Sequence, residues 1–85
     1  MQLQDAFAVV LRRARHDAGL TQADLALRTG LTSRYIRSLE AGKACPSLDA
    51  VFRFAKALEV QACDLVARVE QQTEPAVTSK GMPLS

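Results

Sequence analysis

Apolar residues recur at three- and four-residue spacing from Phe7 to Val69, and no segment alternates strictly enough between apolar and polar to predict a strand. The pattern divides into five helices. The first spans roughly Leu3 to Ala18, with Phe7, Val10, Leu11, Ala14 and Ala18 as one buried stripe, and Gly19 stands where a left-handed cap ends it. The second follows Thr21, an N-cap whose spacing to Asp24 suits a shortened capping box. Leu20 and Leu25 flank it as a hydrophobic staple, and Gly30 stops it after about Thr29. The third repeats this grammar: Thr32 caps, Leu31 and Ile36 form the staple, Ile36 and Leu39 face inward, and Gly42 terminates. After the loop "KACP", Ser47 caps a fourth helix whose stripe is Leu48, Val51, Phe52, Ala55 and Leu58. Phe54 falls off that stripe, which predicts an exposed ring. The fifth helix runs from about Ala62 to Gln71 or Gln72 on Leu65, Val66 and Val69, with Gln61 a poor cap. Residues 1–72 thus read as one all-α domain. Residues 73–85, with two prolines, a glycine and no period, read as a disordered, passive tail.

Composition narrows the function classes. A chain of 85 residues without Trp allows one small domain with a core of Leu, Ala, Val and Ile, and help from a partner subunit is plausible at that size. The net charge of +2 says little, but its distribution says more. Residues 1–43 carry seven Lys or Arg against four Asp or Glu, a balance of +3; residues 44–85 carry four against five, a balance of −1. Cys45, Cys63 and the single His16 cannot supply four zinc ligands, so no metal is expected. No nucleophile–base pair is recognisable, and neither an enzyme activity nor a cofactor or small-molecule ligand is expected. The short apolar run before Arg12, Arg13 and Arg15 lacks the order of a secretory signal, and no apolar run approaches the ~18 residues of a membrane span. The expectation is a cytoplasmic protein with two free thiols, buried and inert.

The cut at Gly30 is the informative feature. Two short helices joined by a glycine-containing turn describe a helix-turn-helix. Counting from Gln22, the fifth position is Ala26, the ninth Gly30 and the fifteenth Ile36. Ala26 is small where the helices cross, Gly30 accepts a positive φ, and Ile36 fills the angle between them.

With those residues in hand, the chain resembles the Xre/Cro family of transcriptional regulators, which have the fold of lambdoid phage repressors. The resemblance covers about residues 8–70 and rests on Leu11, Arg15, "GLTQADLA" (19–26), "TGLTSRYIRSLEAGK" (29–43), "PSLDAV" (46–51) and "ALEV" (57–60). It departs from the family at Glu59, where glycine is frequent, and at Gln61, where Ser or Thr is frequent. The resemblance implies a compact five-helix, lambda-repressor-like domain that binds double-stranded DNA as a homodimer. It also implies that Arg15 and Glu40 form a structural ion pair between helices one and three.

In such a domain the second helix of the pair lies in the major groove with its N-terminal residues near base edges. Ser33, Arg34, Arg37 and Ser38 are then its outward side chains. Arginine grips guanine O6 and N7 in a bidentate manner, so at least one of Arg34 and Arg37 is expected to read a guanine, the other being open to a phosphate. Gln22, at the positive end of helix two, is the candidate backbone clamp. Thr32 and Lys43 are further phosphate candidates. Tyr35 is expected to pack its ring on helix two with its hydroxyl towards the backbone. Arg12, Arg13 and Arg28 read as solvated charges. A two-fold dimer would match a near-palindromic operator, and Phe54, Leu65, Val66 and Val69 are the candidate interface, with the alternative that Leu65 and Val66 close the monomer core. The competing reading of the whole chain is a partner-binding or antitoxin-like module that keeps the fold without reading sequence.

Overall fold

Three hydroxyls set where this chain turns into helix. In the computed structural model, which describes residues 2–73, Thr21, Thr32 and Ser47 each accept a hydrogen bond from the backbone N–H three residues on, at 3.0 Å in every case. The described residues form α1 (Leu3–Asp17), α2 (Gln22–Thr29), α3 (Ser33–Glu40), α4 (Leu48–Leu58) and α5 (Ala62–Thr73), with no strand among them. Of the segment read as a tail, Thr73 is the last residue of α5, and residues 74–85 lie outside those described. Gly30 has φ 77° and ψ 9°, and a Cβ there would meet nothing closer than the Arg53 guanidinium at 3.4 Å. Its conformation, and not crowding, is what calls for glycine.

Helix α1 packs on α3 and α5, α2 on α3 and α4, and α4 on α5. Leu11, Leu25, Ile36, Leu39, Phe54 and Leu65 are the largest fully buried side chains. The rings of Phe7 and Phe54 meet with centroids 6.0 Å apart at 44°, which ties α1 to α4 by a tilted aromatic contact.

This core corrects the sequence reading of α4. Phe54 is fully buried, whereas Phe52 is 58% and Leu48 71% exposed. The buried face is Ala50, Val51, Phe54, Ala55 and Leu58, a stripe rotated from the expected one so that it meets Phe7. Phe54 therefore belongs to the monomer core and not to a dimer surface. Leu65 and Val69, at 0% and 7% exposure, also pack into the core, although both line an apolar groove beside Val66, which stays 47% exposed. Ala18 is exposed as the C-cap of α1, and both cysteines are exposed where burial was expected. Glu59 adopts φ 59° and ψ 42° as the C-cap of α4. The left-handed turn for which the family favours glycine is thus kept by a residue with a Cβ, at a cost of about 1–2 kcal/mol.

One polar group sits at the meeting point of three helices. Arg15, 9% exposed, donates from Nε to Glu40 Oε2 at 2.7 Å and from Nη2 to Oε1 at 3.1 Å. Its Nη1 donates to the Leu20 carbonyl at 2.8 Å, and its Nη2 lies 3.3 Å from His16 Nε2. Glu40 Oε1 also accepts from Gln22 Nε2 at 3.0 Å. No buried side-chain N or O among the described residues lacks a partner. Removing one member of such a pair strands the other in the interior at a cost of about 3–5 kcal/mol. Glu40→Ala is expected to lower the thermal midpoint well below that of Arg37→Ala, which removes an exposed side chain. Equal midpoints in parallel melts would refute this role for the pair.

Candidate nucleic-acid interface

Helix α2 is held at its start by a reciprocal pair of bonds: Thr21 Oγ1 accepts from the Asp24 N–H and Asp24 Oδ2 accepts from the Thr21 N–H, both at 3.0 Å. The Thr21 N–H stabilises the carboxylate and, with the Thr21 hydroxyl as the second cause, holds the Asp24 pKa below its ordinary 3.8. The box fixes the position of Gln22, the first residue of α2. Its backbone N–H is one of the donors that a helix leaves without an internal partner. Its side chain is half-buried and tied to Glu40, so the amide does not stand free at the surface.

Gln22, Arg34, Arg37, Ser38 and Lys43 share one concave surface with Arg12 and Glu40. Ser33 lies with Arg37 and Gln22 in the adjoining depression, which also holds His16 and Thr21. Arg34, Arg37 and Lys43 are exposed, while Ser33 and Ser38 are half-buried. The one carboxylate in the concavity, Glu40, is already engaged by Arg15 and Gln22. The guanidiniums around it are therefore not neutralised from within the surface.

Thr32 is exposed at the start of α3, where its oxygen accepts from the Tyr35 N–H, leaving its own proton to donate. Tyr35 departs from expectation. Its ring is half-buried against the core, and its hydroxyl accepts from the Ser47 N–H at 3.4 Å, tying α3 to the entry of α4. Neither Thr32 nor Tyr35 lines the concavity. Arg12 is more than the solvated charge its sequence suggests: its Nη1 donates to the Glu40 carbonyl at 2.9 Å, on the same surface as Arg34 and Arg37. A signal was present in the sequence: Arg12 precedes Arg15 by three residues, which places both on neighbouring positions of one helix face.

The surface offers guanidiniums, an ammonium, hydroxyls and a helix N-terminus, a set suited to anionic oxygens and to the acceptor edge of guanine. Among the described residues no cluster of His, Cys, Asp or Glu could hold a metal ion, and no helix is long and apolar enough to cross a membrane.

Residues 11–65 match a family model described as helix-turn-helix. The chain is 34% identical over 59 residues to an uncharacterized HTH-type transcriptional regulator, y4dJ, of Sinorhizobium fredii, covering 69% of this chain and 77% of that one. Among solved structures, it is similar to the clp gene regulator ClgR from Corynebacterium glutamicum, with TM-score 0.77, 26% identity, and coverage of 82% and 74%. It is also similar to the restriction-modification controller protein C.AhdI from Aeromonas hydrophila, with TM-score 0.70, 32% identity, and coverage of 73% and 94%.

The capping geometry makes a direct expectation. Asp24 has a folded-state pKa below its unfolded one, so its contribution to holding α2 is present above the unfolded value and fades as pH falls through the folded one. In a carboxyl NMR titration Asp24 should show a midpoint below 3.8, and Thr21→Val should move it back up. A wild-type midpoint at or above 3.8 would mean that the box does not set it, and one insensitive to Thr21→Val that the residue 21 N–H sets it without the hydroxyl.

Proposed function

Because the chain belongs to the helix-turn-helix family of transcriptional regulators, we propose that it is a sequence-specific regulator that binds a near-palindromic operator as a homodimer, with α3 in the major groove. The observation that carries this reading is the exposure of Arg34, Arg37 and Lys43 on one surface whose single carboxylate is already bound from inside the fold. Arg34 and Arg37 project from the helix that docks in the groove and read base edges, at least one of them a guanine. The Gln22 N–H at the start of α2 takes a phosphate oxygen, with the side chain held in place by Glu40. Lys43 and the Thr32 hydroxyl take further phosphates. Ser33 and Ser38, half-buried, approach the groove only along its wall.

A single α3 spans few base pairs. A two-fold dimer sets two of them about 34 Å apart, one helical turn of DNA. The surface that supports a dimer is an apolar groove between the start of α1, the entry of α4 and α5, where Val66, Leu3 and Leu48 are exposed around Phe7 and Val51. Of the interface expected from the sequence, Leu65, Val66 and Val69 line this groove, Val66 as its exposed member, and Phe54 does not.

Selection of bound duplexes from a random pool is expected to return a two-fold symmetric site. Arg34→Ala and Arg37→Ala should each relax preference at particular positions by about 1–3 kcal/mol, and Gln22→Ala, which keeps the N–H but frees the start of α2 from Glu40, should weaken all duplexes alike. Arginine variants that keep the wild-type preference would overturn the direct-readout assignment; absence of any salt-dependent duplex binding would favour the partner-binding module. In sedimentation, Val66→Asp should shift the protein to monomer with little change in thermal midpoint. A wild type that stays monomeric at high concentration while binding DNA would remove the dimer.

A further inference from the structure

We propose that Arg12, on α1 and outside the helix-turn-helix, binds a DNA backbone phosphate beside the C-terminal end of α3. The proposal rests on the DNA-binding reading above and extends it to a residue that the two helices of the motif do not contain. Arg12 is exposed, yet its guanidinium is not loose: Nη1 donates to the Glu40 carbonyl at 2.9 Å. That carbonyl belongs to the last residue of α3, where backbone oxygens lack partners within the helix and a cation is favoured. The bond spends one of the five N–H donors of the guanidinium and fixes the plane of the rest.

What those remaining donors face is the concavity shared with Arg34, Arg37, Ser38 and Lys43. Its one carboxylate cannot serve Arg12, because Oε1 and Oε2 of Glu40 are taken by Arg15 and Gln22. The Glu40 residue thus divides its two functions between two arginines: the carboxylate locks Arg15 inside, and the main-chain oxygen aims Arg12 outside. The location decides between base and backbone. Base edges meet the N-terminal part of a docked recognition helix, whereas Arg12 stands at the opposite end, on the surface that also presents Lys43. A fixed, planar cation in that place matches a phosphate, whose oxygens a guanidinium can grip in a fork.

The test compares salt dependence on one selected duplex. Arg12→Gln keeps an amide donor for the Glu40 carbonyl and removes the charge. Its slope of log affinity against log salt should be shallower than wild type by about 1.8, the loss of one phosphate neutralisation in each subunit of the dimer, with sequence preference and thermal midpoint unchanged. Arg12→Lys should restore most of the slope. Arg13→Gln, a change at the adjacent exposed arginine, should leave it as in wild type. A wild-type slope in Arg12→Gln, or an equal loss in Arg13→Gln, overturns the assignment of Arg12 while leaving the DNA reading intact. A wild-type protein without salt-dependent duplex binding overturns both.

Discussion

The fork between Arg15 and Glu40 is the constraint on which the arrangement of the reading surface depends. It joins the end of α1 to the end of α3 through two hydrogen bonds, and a third bond from the same guanidinium fixes the turn before α2. Hydrophobic contact alone would hold α3 against the core through Ile36 and Leu39, but apolar packing is non-directional and leaves rotation about the helix axis weakly defined. A bidentate charge pair is directional. Because Gln22 also binds Glu40, the start of α2 is registered against the end of α3 by the same carboxylate. The relative placement of the start of α2 and the end of α3 is thereby set by one buried acid.

The limits of the sequence reading follow from how information is carried along the chain. Helix starts were legible because Thr21, Thr32 and Ser47 act on N–H groups only three residues away. Long-range partners were not. In α4, "LDAVFRFAKAL" is apolar on most of its circumference, so two overlapping stripes satisfy the same spacing, one with Phe52 and one with Phe54. Partners on other helices, Phe7 among them, select between them. The error propagated: an exposed Phe54 suggested a dimer surface that the fold uses as core. Likewise Arg12 and Arg13 are the same residue type; spacing to Arg15 puts Arg12 on the Arg15 face, but its partner, the Glu40 carbonyl, comes from α3, 28 residues away. The inward face of α3, Ile36 and Leu39, was legible because the spacing of Ala26, Gly30 and Ile36 fixes which side of it must point inward.

The exposed apolar positions are distributed unevenly. Leu3, Leu48 and Val66 gather around one groove, Leu27 and Phe52 are exposed elsewhere, and the concavity lined by α1, α2 and α3 has no large apolar group apart from the half-buried Leu20. This separation is what a protein needs if one face is to be dehydrated and another is to stay solvated until an anion arrives. It also keeps the cost of desolvating guanidiniums away from any apolar contact between subunits.

The two helices of the motif end alike. The carbonyl of Thr29, closing α2, accepts from Arg53 of α4 at 3.0 Å, as that of Glu40, closing α3, accepts from Arg12 of α1. Each helix is eight residues long, too short to persist by itself in water. Both are therefore finished by side chains from outside the motif, one from the helix before it and one from the helix after it. The reading element is not a portable part. Transplanted as a 21–41 segment onto another scaffold, it would carry its caps and its elbow but leave both trailing ends without their arginines, and the recipient would have to supply cations at the same two places for the angle between the helices to survive the move.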